Sequence, residues 1–143
     1  MSSTWLLTSA TMIALVSSSP TQPGFDRSDR PQPVDTMIDV GDHRLHFRAW
    51  AGSGNLTIVF EAGGGADLTA WATVPSLLAA RIPARIVAYD RAGMGQSDVG
   101  PRDLTPQQEI EQLDRALDKL GVRRMVLVGH SYGGAVITNA ATG

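Results

Sequence analysis

The sequence contains no cysteine among its 143 residues, and this absence removes several kinds of site. A disulfide framework, a thiolate nucleophile and a zinc–thiolate centre each need cysteine, so packing alone has to stabilise the folded chain. The absence does not identify a cellular compartment, since a secreted protein can fold without disulfides.

The chain also has little excess of charge of either sign. Its 12 Lys and Arg residues stand against 14 Asp and Glu residues, which gives a formal net charge of −2. A protein that binds nucleic acid usually presents a basic field, and this composition supplies none. We therefore expect no nucleic-acid partner.

Long hydrophobic runs are missing as well, because none reaches the roughly 18–20 residues that a helix needs to cross a bilayer. The longest candidate covers residues 5–16 and is followed by three serines. Its length is that of the core of a secretory signal peptide, but no Lys or Arg precedes it and no A-x-A triplet follows. Two alternatives stay open: a cleaved signal on a secreted or periplasmic protein, or a disordered leader on a cytoplasmic one.

The composition changes near residue 35 and divides the chain into two parts. Residues 21–34 are rich in Pro, Gly, Asp and Arg and are typical of a linker. We assign residues 1–34 to a leader and linker, and residues 35–143 to one folded domain. With 43% apolar residues, the chain has enough material for one compact core.

Strand and helix patterns alternate within the folded part. Two short runs around a turn at residues 41 and 42 predict an antiparallel hairpin. Three nearly continuous apolar runs, rich in Val and Ile, are typical of strands buried in a parallel sheet; they cover residues 56–61, 85–90 and 125–129. Helical spacing occurs over residues 68–80 and 106–120. The second stretch has Thr105 as N-cap, Pro106 at the first helical position and Gln108 where a capping box expects it. The order predicts an α/β fold.

The pentapeptide G-H-S-Y-G at residues 129–133 carries the strongest sign of chemistry. It joins a predicted buried strand to a predicted helix by a turn so sharp that the central serine is strained. Side chains at Gly129 and Gly133 would collide with the neighbouring strand and helix. The turn would present the Ser131 hydroxyl as a nucleophile and direct the Tyr132 amide at a developing oxyanion. The alternative is a glycine-rich turn whose serine only caps the helix.

Two further loops follow predicted strands at the edge where open α/β sheets bind ligands. The loop at residues 61–67, EAGGGAD, is flexible enough to bring a second oxyanion donor close to a ligand. The loop at residues 90–98, DRAGMGQSD, is expected to be at least in part a salt-bridged connection that Asp90 and Asp98 order. Dinucleotide binding would need a third glycine at the position of Leu68, so no cofactor is expected, and no metal site is predicted.

Three motifs in this order, FEAGGG, YDRAGMGQSD and VGHSYGG, make residues 36–143 resemble the N-terminal portion of the α/β-hydrolase superfamily. The resemblance implies a hairpin followed by a mostly parallel sheet with flanking helices. It also implies Ser131 as nucleophile and the amides of Gly64 and Tyr132 as an oxyanion hole, with Gly63 and Gly65 as alternatives to Gly64. Serine at the elbow argues against the branches that use a carboxylate nucleophile.

A serine hydroxyl needs a base, and the superfamily places an acid and then a histidine after the serine. Residues 132–143 contain no Asp, Glu or His. Of the three histidines, His43 reads as a turn residue, His46 as a solvated strand residue, and His130 as projecting to the other side of the elbow. The resemblance therefore implies the first part of a hydrolase, cut soon after its nucleophile and inactive on its own.

Two functions are consistent with these patterns. The first is hydrolysis of an ester, amide or related bond of a small-molecule substrate in the full-length parent, through an acyl-enzyme on Ser131. The second is a non-catalytic α/β module that associates with itself or another chain through residues 125–129. That strand is central in the superfamily and would leave an open apolar edge here.

Overall fold

The computed structural model describes residues 30–142, which form a five-stranded sheet and its flanking helices. The candidate signal peptide lies outside these residues. The strands are β1 (Val34–Asp39), β2 (Arg44–Trp50), β3 (Thr57–Glu61), β4 (Arg85–Tyr89) and β5 (Met125–Gly129). A 3₁₀ turn (Leu68–Trp71) and the helices α1 (Val74–Ala79), α2 (Pro106–Lys119) and α3 (Tyr132–Thr142) complete the order.

The strands are arranged β1-β2-β4-β3-β5 across the sheet. The hairpin of β1 and β2 is antiparallel, and β2 also pairs antiparallel with β4. β3 is parallel to both β4 and β5, so the predicted hairpin, parallel strands and α/β class are confirmed. The carboxyl ends of β3, β4 and β5 consequently lie side by side at one end of the sheet. The predicted motifs begin at these strand ends.

Both faces of the central strands are buried, which explains their nearly continuous apolar sequences. Successive side chains of a strand point to opposite faces. On one face Val59 and Val87 pack with Leu113 and Leu117 of α2. On the other face Phe60, Ile86 and Ala88 join a second cluster with Trp50 and Leu68.

α2 begins at the predicted residue and ends within one residue of the predicted end. Its start is specified by the local sequence. The Gln108 amide donates to Thr105 Oγ1 at 3.3 Å, and the Thr105 amide donates to Gln108 Oε1 at 2.9 Å. Together these two bonds form the predicted capping box. Within residues 30–142, no helix is long and apolar enough to cross a membrane.

The continuous helix predicted over residues 68–80 is wrong. The structure has a 3₁₀ turn, a break at Ala72 with φ +47°, and then the short helix α1. Pro75 explains the break, since its ring would clash with the carbonyl of Trp71 in a continuous helix and it has no N–H to donate. The apolar spacing in this segment was compatible with either arrangement.

β5 forms one edge of the sheet, as expected from the sequence. Within residues 30–142, its strand partner is β3, and its other side has none. Val126 in the middle of β5 is 46% exposed. An apolar strand with unpaired N–H and C=O groups is a surface to which another strand can add.

Candidate active site

Ser131 occupies the turn between β5 and α3 with a left-handed backbone. Its φ is +53°, in the region that residues other than glycine seldom adopt and that costs about 1–3 kcal/mol. The Gly133 amide donates to the His130 carbonyl at 2.9 Å, and the Gly134 amide donates to the Ser131 carbonyl at 2.8 Å. These bonds hold the strained residue in place at the start of the helix.

Gly129 and Gly133 are required by the space around the turn. A Cβ atom on Gly129 would lie 2.6 Å from the carbonyl oxygen of Gly133. A Cβ atom on Gly133 would lie 2.5 Å from the carbonyl oxygen of Ala62, and it would also meet that of Glu61. The predicted collisions are therefore confirmed, and they bring α3 against the end of β3.

Ser131 is exposed at the turn between β5 and α3. Its Oγ takes part in no hydrogen bond among residues 30–142, including none with the amides at the start of α3. The alternative of a capping serine requires such a bond. The geometry therefore favours a hydroxyl presented to solvent over a hydroxyl that serves the helix.

The glycine loop after β3 lies beside the elbow. A Cβ atom on Gly63 would be 3.6 Å from Cβ of Ser131, and one on Gly64 would be 3.5 Å from Cβ of Tyr132. The same atom on Gly65 would meet nothing within 4 Å. In the described part of the chain, the amides of Gly64 and Tyr132 donate to no acceptor, so both are available to an anion.

A buried ionic cluster of Glu61, Tyr89 and Arg91 is bonded to the backbone of this loop. Arg91, which is 7% exposed, forms an ion pair with Glu61, which is 1% exposed, and the Tyr89 hydroxyl donates to the same carboxylate. Burial raises the pKa of Glu61, although hydrogen bonds from Tyr89 and Arg91 act in the opposite direction. Arg91 also donates to the carbonyl oxygens of Ala62 at 2.6 Å and Gly63 at 2.5 Å.

The same guanidinium contacts the elbow. Its Cζ atom lies 5.1 Å from the centroid of the Tyr132 ring, a cation–π distance. The Tyr132 hydroxyl donates to Glu109 Oε2 at 2.8 Å, and Glu109 Oε1 lies 3.9 Å from Arg91 Nε. Burial and this neighbouring carboxylate raise the pKa of Tyr132, so its hydroxyl stays protonated. Arg91 thus touches both the glycine loop and the elbow.

Sequence reasoning did not single out Arg91 or Glu61. A signal was nevertheless available in the sequence. Glu61 ends β3, Arg91 comes two residues after the end of β4, and these two strands are predicted to be parallel. Their register pairs Phe60 with Ala88, which brings the ends of the two strands together. Charges at the same end of adjacent parallel strands are placed to pair, but the adjacency is a property of the fold.

His46 corrects a prediction, because it is buried rather than solvated. It is 2% exposed, with Nδ1 2.8 Å from Asp90 and Nε2 3.3 Å from Asp35. The loop at residues 90–98 folds over β2, and its Ser97 hydroxyl accepts the His46 amide hydrogen at 2.8 Å. The loop therefore covers a face that the strand pattern alone marks as polar and exposed.

The other two histidines lie in different surroundings. His43 is also buried, at 7% exposed, and its Nδ1 lies 2.6 Å from Asp42. Its ring is close to Gly100, where an added Cβ would lie 3.1 Å from Nε2. His130 is exposed, and its Nδ1 is 3.1 Å from the place that a Cβ on Gly63 would occupy. No histidine in the described range forms a hydrogen bond with Ser131.

Asp90 and Asp98 order their loop, as predicted. Asp90 accepts the amide hydrogens of Leu68 at 2.7 Å and Gln96 at 2.9 Å. Asp98 accepts the amide and the Nε hydrogens of Arg44, both at 3.0 Å. Across residues 30–142, no group of three or more His, Asp or Glu residues has a geometry suited to a metal ion.

Comparison with known proteins relates this geometry to a family. Residues 58–143 match the model of the Alpha/beta hydrolase family. The dihydrolipoyllysine-residue acetyltransferase component of the acetoin cleaving system of Pseudomonas putida is 33% identical over 119 residues, covering 82% of this chain and 31% of that protein. Human protein phosphatase methylesterase 1 is 28% identical over 133 residues, covering 84% of this chain and 34% of that protein.

Solved structures give the same picture. Cfl2 from Burkholderia cenocepacia superimposes with a TM-score of 0.63 at 34% identity, over 72% of this chain and 34% of that chain. The thioesterase domain from the curacin biosynthetic pathway gives a TM-score of 0.68 at 25% identity, over 76% of this chain and 39% of that chain. The chain spans about a third of the length of the curated relatives it matches.

Proposed function

The chain belongs to the α/β-hydrolase family, and from that premise we propose that Ser131 is the nucleophile of a hydrolase that acts on an ester, amide or related bond. One observation carries the proposal. An exposed serine with φ +53° joins β5 to α3, and the unpaired amides of Gly64 and Tyr132 lie beside it. A strained, solvent-facing hydroxyl beside two free donors suits attack on a carbonyl group.

The proposed reaction has two stages. Ser131 Oγ attacks the carbonyl carbon of the substrate, and the carbonyl oxygen becomes an anion that accepts hydrogen bonds from the Gly64 and Tyr132 amides. The leaving group departs with a proton, which leaves an acyl group on Ser131, and water then releases the acid product. Removing one such donor typically lowers turnover by about 10²–10³.

The reaction also needs a base that takes the proton of the Ser131 hydroxyl, and residues 30–142 present no histidine in position to do so. His43 and His46 are buried and lie beside carboxylates, and no histidine is hydrogen-bonded to Ser131 within residues 30–142. We propose that the acid and histidine of the triad come from outside the 143 residues, and that the chain alone is nearly inactive. Losing a triad member can cost on the order of 10⁶ in turnover, about 8 kcal/mol of barrier.

Labelling with a fluorophosphonate tests the nucleophile without requiring turnover. Oγ forms a bond to phosphorus, fluoride leaves, and the hydroxyl proton passes to solvent. Because the proposed base is absent from the chain, the adduct should form slowly; after prolonged incubation, mass spectrometry should find it on Ser131 of the unaltered chain and find none on Ser131→Ala. Ser53→Ala, which removes an exposed loop serine, is the matched control and should label normally. An adduct that persists in Ser131→Ala would remove the assignment.

A nitrophenyl ester assay tests the proposed dependence on an external base. The purified chain should hydrolyse a short-chain ester at a rate close to the uncatalysed reaction. A robust rate that Ser131→Ala abolishes would show that the chain contains its own base. A robust rate that survives the substitution would contradict the assignment of Ser131.

A second candidate function, a non-catalytic module that associates through its sheet, is favoured by the unpaired apolar edge of β5. Under this proposal the chain pairs along β5 with a copy of itself or with another chain. Size-exclusion chromatography with light scattering distinguishes the two cases. A stable monomer at all concentrations would count against association between copies.

A further inference from the structure

One buried cation, Arg91, lies behind the candidate oxyanion hole and contacts both of its sides. Its guanidinium pairs with Glu61 and donates to the carbonyl oxygens of Ala62 at 2.6 Å and Gly63 at 2.5 Å. A stabilising ion pair needs only the carboxylate. The two additional acceptors belong to the backbone of the loop that supplies the Gly64 amide, and none of the proposed chemical steps uses Arg91.

The bond to the Gly63 carbonyl determines where the Gly64 amide points. The carbonyl of Gly63 and the N–H of Gly64 belong to one planar trans peptide unit, in which the two groups point in opposite directions. Because Arg91 holds the carbonyl on one side, the N–H is directed to the other. A cation at the carbonyl also polarises the peptide and strengthens its N–H as a donor.

The other donor, Tyr132, is fixed by the same cation. The guanidinium stacks on the Tyr132 ring at 5.1 Å, and Glu109 accepts the Tyr132 hydroxyl hydrogen at 2.8 Å. Glu109 in turn lies 3.9 Å from Arg91 Nε. The side chain of Tyr132 is thus held between the guanidinium and α2, close to its own amide at the start of α3.

We infer that Arg91 is a positioning residue that holds the Gly64 and Tyr132 amides in place for one shared anion. The inference rests on the proposed function, since it takes these amides as the oxyanion hole. A lysine keeps the charge but cannot present a planar fork to several acceptors. Arg91→Lys therefore keeps the ion pair with Glu61 and releases the loop carbonyls.

Equilibrium binding of butylboronic acid tests the inference without a catalytic base. Ser131 Oγ forms a bond to boron, which gives a tetrahedral boronate anion while the hydroxyl proton passes to solvent. Boron-11 NMR measures the dissociation constant, and proton–nitrogen NMR follows the amide signals of Gly64 and Tyr132. Arg91→Lys should raise the dissociation constant roughly 10-fold or more, since misplaced oxyanion donors stabilise the adduct less well.

Arg48→Lys is the matched control, because Arg48 also pairs with a carboxylate, that of Asp35, but lies on β2 away from the elbow. It should leave the dissociation constant and both amide signals unchanged. An unchanged dissociation constant in folded Arg91→Lys would overturn the inference. So would an equal loss in Arg48→Lys, since that would reflect general loss of stability.

Two further measurements separate this inference from the proposed function. If the unaltered chain forms no adduct, or Ser131→Ala binds equally well, the nucleophile assignment fails. The amide signals of Gly64 and Tyr132 without boronate then decide the inference: they should shift in Arg91→Lys and not in Arg48→Lys. If Arg91→Lys does not fold, Glu61→Gln/Arg91→Gln removes the fork without leaving an unpaired buried charge, and unshifted signals there would overturn the inference.

Discussion

At the scale of single residues, close contacts at the elbow decide more than residue type does. Gly133 and Gly134 are neighbours in α3, yet a Cβ would clash with backbone at the first and would meet only the Gly129 oxygen, at 4.0 Å, at the second. Glycine destabilises the interior of a helix, so a glycine at either position needs a structural explanation. Sterics explain only Gly133, because it lies against the end of β3.

Substitution of these two glycines by alanine should therefore have opposite effects. Gly133→Ala should lower the free energy of unfolding by about 2 kcal/mol or more, since backbone oxygens of β3 and its loop have to move. Gly134→Ala should be neutral or raise it by about 0.5–1 kcal/mol through helix propensity. Urea unfolding measures both. Equal losses for the two variants would contradict the packing of α3 against β3.

Asp35 gives a prediction about pH. The hydrogen bond from Arg48 holds the pKa of Asp35 below its ordinary value of 3.8, although partial burial acts in the opposite direction. A lowered pKa stabilises the folded state above pH 3.8, and this contribution is lost as the pH falls through the folded-state pKa. Since Asp35 is half exposed, Asp35→Asn should cost no more than about 1 kcal/mol at pH 7 and progressively less in acid.

Urea unfolding of Asp35→Asn over a series of pH values checks this prediction. Asp114→Asn, which removes an exposed carboxylate of α2 with no ion pair within residues 30–142, is the control for loss of a surface charge. A difference from the unaltered chain that grows toward acid would contradict the sign.

Residues of the site differ in how far the sequence predicted them. Ser131, Gly129 and Gly133 fall in one pentapeptide, so their neighbours in the sequence are their neighbours in space. Arg91 and His46 owe their burial to segments far along the chain. No local pattern reports that the loop at residues 90–98 covers β2, and that is why His46 was predicted as solvated.

At the scale of elements, the segments with local signals were predicted best. α2 has its capping box within four residues, and β3, β4 and β5 have nearly continuous apolar sequences. The segment at residues 68–80 has apolar spacing but no capping box, and Pro75 divides it. The ring of Trp71 also meets that of Phe60 in β3 edge-on at 4.8 Å, a contact between distant segments that no local pattern predicts.

The capping box of α2 can be tested by one pair of substitutions. Thr105→Ala removes the side-chain acceptor for the Gln108 amide and should lower the free energy of unfolding by about 0.5–2 kcal/mol. Thr105→Ser keeps the hydroxyl and should change it by only a few tenths of a kcal/mol. Thermal and urea unfolding provide the measurement. Equal effects would mean that α2 depends on its packing and not on the cap.

At the scale of the whole molecule, β1 and β5 are the two edge strands of the described sheet, and β5 is the more apolar of them. The sheet continues from β1 to β5 with both faces covered near its centre, but in the described structure nothing pairs with the outer side of β5. The sequence analysis expected an open edge at this strand, and the strand order of the described residues has β5 at the edge.

A charge on β5 should reduce association between copies. Val126→Lys places an ammonium group on the exposed edge strand, which disfavours pairing with another strand. Light scattering should show less oligomer than for the unaltered chain at the same concentration. Val99→Lys is the control, since Val99 is 75% exposed but lies in a loop. Equal oligomer in Val126→Lys and the unaltered chain would show that β5 is not the surface of association.

The pairing of β5 with β3 also has a consequence for folding order. Thr57 opposes Met125 across these strands, so their contact closes a long stretch of chain and forms more slowly than the hairpin of β1 and β2. The close packing of Gly133 against the carbonyl oxygens of Glu61 and Ala62 exists only after this closure. We therefore expect the turn at Ser131 to reach its place beside the glycine loop late in folding, after the hairpin of β1 and β2 has formed.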